Sequence, residues 1–152
     1  TIEGFVAGKI LDGEYDYAGR RSMTEGSVIV IVATDIPLIS SQLNRLARRA
    51  ALGLGRTGSF AASTSGEIII AFSTGNRKPR PKPNENKFIT MRCISDHHID
   101  DVYEAVVETT EEAVLNAMFC SNGMNGRLNR FCPAIPHDRV FEILNQRNPL
   151  TS

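Results

Sequence analysis

The pair Gly26-Ser27 has the chemistry of a self-processing nucleophile. A serine hydroxyl is weak without an adjacent base, and no histidine stands where it would obviously activate Ser27. Cleavage before Ser27 would free an α-amino group, whose ordinary pKa of about 7.7–8 suits a general base near neutral pH. Gly26 fits because glycine tolerates strained backbone angles and leaves its carbonyl open to attack by the Ser27 hydroxyl. An N-to-O acyl shift would give an ester that water then hydrolyses.

Two β-rich runs must position these groups. Residues 28–33 are apolar and mostly β-branched, which predicts a strand buried on both faces with Ser27 at its mouth. Residues 67–74 predict a second buried strand, which opens on the Glu67 carboxylate as the first opens on a hydroxyl. On the first run alone, an ordinary turn at Gly26-Ser27 is the simpler interpretation.

The rest of the chain supplies elements around these two strands. We predict strands over 4–11 and 87–94, a helix that Asp35 caps and Pro37 opens, a helix from Asp96 to Cys120 and a helix over 137–144. Glycines Gly53, Gly55 and Gly58 are expected to end the first of these helices. Polar or proline-rich segments predict loops over 12–26, 76–87 and 121–136. The order β, β, α, β, β, α, α favours an α+β fold with helices outside a sheet or pair of sheets, and disfavours a doubly wound parallel fold.

Several other polar groups admit two interpretations. Gly53-x-Gly55-x-x-Gly58 has dinucleotide-motif spacing, but it follows a helix where the motif must follow a strand, so we exclude it. Arginines in the first long helix are a solvated face or a phosphate-binding patch. The pair His97-His98 is either a pair of helix-start residues or part of a metal site. The pair His137-Asp138 is either a pair of helix-start residues or part of a hydrolytic triad. The alternating prolines of residues 79–83 form a surface loop or a basic docking strip.

Composition limits the class of protein. The 152 residues, 41% of them hydrophobic, suit one domain over 1–152. Seventeen basic residues balance seventeen acidic ones, so no global field draws the protein to nucleic acid or anionic lipid. The three cysteines are odd in number and lack CxxC spacing, which argues against a disulfide framework and against a zinc site. Their pattern favours a reducing compartment. With no run of about 18 apolar residues, we expect a soluble, cytoplasmic protein that does not bind membranes. Because the sequence begins on Thr1, an upstream portion is also expected.

Ordered sequence blocks between about residue 26 and residue 147 closely resemble the DmpA-type aminopeptidases, the self-processing L-aminopeptidase/D-esterase and β-aminopeptidase family. The blocks are 26–38, from Gly-Ser through Ala-Thr-Asp-x-Pro-Leu; 42–50, Gln-Leu-x-Arg-Leu-Ala-Arg-Arg-Ala; 65–68, Ser-Gly-Glu-Ile; 71–74, Ala-Phe-Ser-Thr; and 133–139, Pro-Ala-Ile-Pro-His-Asp-Arg. Their order is far more specific than any single block.

The resemblance implies a fold and a site. The fold would be an αββα four-layer sandwich of the DmpA and ornithine-acetyltransferase-like type, present only in part, with residues 1–26 ending an α portion and 27–152 forming a β portion. Cleavage would occur between Gly26 and Ser27, the nucleophile. Ser65 and Glu67 match the serine and the acid of the family's site. Ser65 would share a hydrogen bond with the Ser27 amine, and Glu67 would hold that amine and orient a cationic substrate amine.

The implied activity is hydrolysis of N-terminal residues from short peptides, amides or esters through an acyl-Ser27 intermediate, with no cofactor or metal. The implied partners are such a substrate, the upstream α-subunit portion and further copies in a homo-oligomer. The family's oxyanion-stabilising asparagine and pocket tyrosine are expected upstream of Thr1, and neither Asn44 nor Tyr15 is assigned those roles. The alternatives are an acetyl-transferring relative, which would use threonine as nucleophile, and a non-catalytic member of the fold.

Overall fold

The computed structural model describes Ile2 and residues 6–12, 27–64, 66–79, 82, 88–129 and 131–145. The helices are α1 (Ala7–Asp12), α2 (Ser40–Thr57), α3 (Asp100–Phe119) and α4 (His137–Asn145), with 3₁₀ turns at Asp96–His98 and Arg127–Asn129. The strands are β1 (Val28–Thr34), β2 (Glu67–Ser73), β3 (Met124–Asn125) and β4 (Phe131–Cys132). None of the helices within these residues is long and apolar enough to cross a membrane.

Strands β1 and β2 pair in parallel and without offset, from Val28 opposite Glu67 to Thr34 opposite Ser73. Parallel neighbours need a crossover connection, and α2 supplies it. Both predicted strands are confirmed within one residue at their ends, because long β-branched runs suit a pleated surface. Strands β3 and β4 form a small antiparallel pair inside the segment that we predicted to be a loop.

One face of the β1–β2 sheet carries the core. Val30, Val32 and Ile69 pack against a cluster from α2, α3 and the β1–α2 connection. The buried members of that cluster are Leu38, Leu46, Ala50, Val102 and Val106.

The opposite face of the sheet is exposed within the described residues. Ile29, Ile31, Ile68 and Ile70 are between 53% and 67% accessible. The prediction of burial on both faces is therefore wrong for this part of the chain, since a run of isoleucine and valine indicates an apolar surface but not what covers it. A sheet with helices on one side is two of the four layers that the resemblance implies.

Two predicted strands are wrong. Ala7–Asp12 is a helix, and residues 88–94 form no strand; residues 4, 5 and 87 lie outside the described part. Short apolar runs do not distinguish the two states. Residues 88–94 are held by individual hydrogen bonds instead of a strand ladder. The Asn76 side chain makes two hydrogen bonds of 2.8 Å with the Arg92 backbone, and the Ile94 N–H donates to the Pro37 carbonyl.

The limits of the long helices also differ from prediction. Neither Asp35 nor Pro37 begins α2, because Ile39 is extended and its N–H donates to Gln42 Oε1 from outside the helix at 3.3 Å. Of the three glycines expected to end α2, only Gly58 does so. Helix α3 begins at Asp100, after a 3₁₀ turn in which the His97 N–H donates to Ser95 Oγ and the His98 N–H donates to the Ser95 carbonyl. The final helix is confirmed, one residue longer than predicted.

Gly53 sets how closely α2 approaches α3. A Cβ atom there would lie 2.5 Å from the Val107 carbonyl oxygen and 2.7 Å from the Thr110 Cβ. Gly55, two residues later in the same helix, faces open space. A side chain added at Gly53 would therefore clash with α3, whereas one added at Gly55 would meet no other atom.

We expect Gly53→Ala to lower the free energy of unfolding by about 1–3 kcal/mol, because the added methyl must push the helices apart. Gly55→Ala is the matched control and is expected to raise it by up to about 1 kcal/mol through helix propensity alone. Urea unfolding of the two variants beside the wild type measures both. Equal effects of the two substitutions would contradict this packing.

A polar contact fixes the start of α2 against the segment before α3. The buried Gln42 amide donates to Ile94 O at 2.8 Å and to Asp96 Oδ1 at 3.2 Å, and the Arg45 guanidinium donates to the same oxygen at 2.6 Å. The Arg45 hydrogen bond, followed by that from Gln42, holds the pKa of Asp96 below its ordinary value of 3.8. A lowered folded-state pKa means that the charged carboxylate stabilises the fold.

Asp96→Asn is expected to lower stability slightly at pH 7, and the loss should shrink as pH falls below about 3.8 toward the lower folded-state pKa. Above 3.8 the carboxylate is charged in both states and its contribution is complete; below its folded-state pKa the contribution is gone. The effect should weaken in salt because the pair is solvent-exposed. Unfolding curves at pH 7 and pH 2.5 compare wild type and variant, and a difference unchanged by pH would rule out a charge effect.

Candidate active site

Ser27 lies at the N-terminal end of β1, with its side chain exposed. The Gly66 N–H donates to Ser27 Oγ at 3.3 Å, and the Val28 N–H donates to the Gly66 carbonyl at 3.1 Å. Gly66 therefore makes two contacts here: its carbonyl accepts from the main chain directly after Ser27, and its N–H donates to the Ser27 hydroxyl oxygen. Because the oxygen accepts this bond, its own proton stays available to a base.

Glu67 is the next residue along β2 and lies opposite Val28. Its side chain is half-buried on the side of the sheet that α2 covers, in line with Ile69, whereas Ser27 is in line with the exposed Ile29. In the part of the chain described, no hydrogen bond joins Ser27 directly to Glu67. The structure therefore brings hydroxyl and carboxylate to one sheet edge from neighbouring strands, each with its own partner.

Ser59 is the partner of Glu67, and the sequence analysis did not single it out. Its Oγ donates to Glu67 Oε1 at 3.4 Å. The signal for it was Gly58, because a glycine that ends a helix in the left-handed conformation fixes the direction of the next residue.

Two predicted site residues, Gly26 and Ser65, lie outside the described residues. The cleavage position and the role of the second serine stay predictions. Tyr15 also lies outside. Asn44 lines a cavity together with Ser73 and Thr74, at the opposite end of the strands from Ser27.

The other polar candidates are placed elsewhere. In the described part of the chain, no three His, Cys, Asp or Glu side chains are grouped so as to hold a metal ion. His97 and His98 are exposed in the 3₁₀ turn, and His137 stacks on the Phe119 ring with centroids 5.5 Å apart. The Arg49 guanidinium lies 4.0 Å from the centre of the Tyr103 ring. Arg45 binds Asp96, so Arg45 and Arg49 both make contacts within the fold.

Several known proteins are similar to this chain in sequence and in fold. The chain is 40% identical over 136 residues to beta-peptidyl aminopeptidase BapA of Sphingosinicella xenopeptidilytica, covering 85% of this chain and 32% of that protein. The structure of the L-aminopeptidase D-Ala-esterase/amidase of Ochrobactrum anthropi matches with a TM-score of 0.72 and 43% identity, over 79% of this chain and 33% of that one. A beta-aminopeptidase from Burkholderia sp. matches with a TM-score of 0.79 and 28% identity, over 94% and 39%.

The Ochrobactrum enzyme is described as a prototype for the serine aminopeptidases and as a new variant of the Ntn hydrolase fold. The fold described above is part of that fold, and the chain spans between 32% and 40% of the length of the curated relatives it matches. The resemblance drawn from the ordered sequence blocks is confirmed, since the family model described as Peptidase family S58 matches residues 1–132. The chain belongs to Peptidase family S58.

Proposed function

We propose that the protein containing this chain is a self-processing serine aminopeptidase or amidase that removes N-terminal residues from short peptides, amides or esters. The observation that carries the proposal is the edge where β1 and β2 begin. There Ser27 Oγ is held by the Gly66 N–H, and the Glu67 carboxylate opens the neighbouring strand. A nucleophile and an anion at one edge suit a reaction on an amine-bearing carbonyl compound.

The first step of the proposed mechanism frees the base. Ser27 Oγ attacks the Gly26 carbonyl carbon, the Gly26–Ser27 C–N bond breaks, and the acyl group moves to oxygen as an ester. Water hydrolyses that ester, leaving a carboxylate on Gly26 and an amine on Ser27. The Gly66 N–H supports this step by orienting Oγ without using its proton.

The second stage turns over substrate. The Ser27 amine takes the Oγ proton as Oγ attacks the substrate carbonyl, and returns it to the leaving amine or alcohol. The resulting acyl-Ser27 ester is hydrolysed by water. Glu67 binds the cationic amine of the substrate, because a carboxylate and an ammonium form a charge-assisted hydrogen bond. In this scheme Ser65 shares a hydrogen bond with the Ser27 amine.

An upstream α portion is the proposed partner of this chain in the whole enzyme. Acyl transfer needs a donor for the oxyanion, worth about 10²–10³ in rate, and the resemblance assigns that asparagine to the α portion. The isoleucines of the exposed sheet face support a covering partner, since single domains rarely leave such a surface bare. We also propose a homo-oligomer, by resemblance, and a cytoplasmic location, which the three free, exposed cysteines support.

Ser27→Ala is expected to abolish self-cleavage, because no other atom replaces the attacking oxygen. Intact-mass analysis of protein expressed from the complete open reading frame should show a cut at Gly26–Ser27 in the wild type and only the uncut chain in the variant. Ser121→Ala, which removes an exposed hydroxyl in the segment after α3, is the control and should cleave normally. An uncut wild-type chain would argue against the proposal and for the non-catalytic alternative.

Glu67→Gln is expected to lower kcat/KM for L-alanine p-nitroanilide by about 10- to 100-fold, the loss of one hydrogen bond to a charged group of about 1.5–3 kcal/mol. Glu108→Gln removes an exposed carboxylate from α3 and serves as the charge-matched control. Steady-state kinetics on the processed enzymes measures both. A Glu67→Gln variant as active as the Glu108→Gln variant would remove Glu67 from the site.

A further inference from the structure

We propose that Ser59 is a positioning residue that orients the Glu67 carboxylate for binding the substrate amine. The inference rests on the proposed function, in which Glu67 receives that amine. It adds a residue that lies outside the ordered blocks of the resemblance and that reaches the site from the end of α2.

The end of α2 fixes the backbone of Ser59. Gly58 has a φ of 113°, in the left-handed region that favours glycine. Its N–H donates to Gly55 O and the Ser59 N–H donates to Leu54 O, both at 3.1 Å, which is the Schellman pattern. Leu54 is itself buried, so Ser59 is tied to the core.

The hydrogen bonds of Ser59 give its hydroxyl a direction. The Ala61 N–H donates to Ser59 Oγ at 3.3 Å, while Oγ donates to Glu67 Oε1 at 3.4 Å. Because Oγ accepts from the main chain on one side, its single proton can serve the carboxylate on the other. Among the described residues no hydrogen bond engages Glu67 Oε2, and in the proposal this oxygen receives the ammonium group.

Such an arrangement acts on binding more than on chemistry. A glutamate side chain loses rotamer freedom when it engages a ligand, and a side chain already held in place loses less on binding. Removing the Ser59 hydroxyl should therefore weaken recognition of the substrate amine while leaving the Ser27 nucleophile intact. A purely structural role, as part of the helix end, would instead lower the stability of the fold.

The test compares Ser59→Ala, Ser59→Thr and Ser41→Ala in protein expressed from the complete open reading frame. Ser41 is an exposed serine near the other end of α2 and is the matched control. For Ser59→Ala we expect KM for L-alanine p-nitroanilide to rise about 3- to 10-fold, the value of one hydrogen bond, with kcat within about twofold. Ser59→Thr keeps the hydroxyl and should restore KM, and the urea midpoint should be the same in all three.

An unchanged KM in Ser59→Ala, an equal rise in Ser59→Thr, or a rise matched by a lower urea midpoint would each overturn the positioning role. The proposed function is tested separately by Ser27→Ala and Glu67→Gln. If those two behave as expected while Ser59→Ala is silent, only the role of Ser59 fails. If the wild type neither cleaves nor turns over the anilide, both fail.

Discussion

The in-register parallel pairing of β1 with β2 is the constraint on which the candidate site depends. Parallel strands begin at the same sheet edge, and this register sets Val28 opposite Glu67 and Gly66 beside Ser27. A slip of one residue would turn every side chain of one strand to the other face. The hydroxyl and the carboxylate would then lose their present partners, so strand register and site geometry are one property of the fold.

Helix α2 connects the two strands, covers one face of the sheet and ends beside the site. Leu46 and Ala50 are fully buried against α3, and Gly53 permits the close approach of the two helices. The same helix then stops at Gly58 and presents Ser59 to Glu67. A single helix therefore connects the packed core to the site, because the end of α2 beside Glu67 lies about two turns after the buried Ala50.

The sequence allowed prediction of the two strands, because their β-branched runs are long and both begin on a polar residue. It failed over residues 7–11, which are helical, and over 88–94, because short apolar runs fit helix, strand or loop. It also failed at the start of α2, which Gln42 and Ile39 set through a local contact. The exposed sheet face could not be foreseen, since burial depends on what lies against it. Ser59 was missed because its contact depends on the conformation of Gly58, and Ser65 stays a prediction.

The central claim is that Ser27 becomes an N-terminal nucleophile that carries the acyl group of the substrate. Rapid acid quenching of the processed enzyme during turnover of an alanine ester, followed by peptide mass mapping, tests it most directly. The predicted result is a peptide that begins at Ser27 and carries one acyl group on that residue. An acyl group on another residue, or a Ser27 that is still joined to Gly26 in the active enzyme, would contradict it.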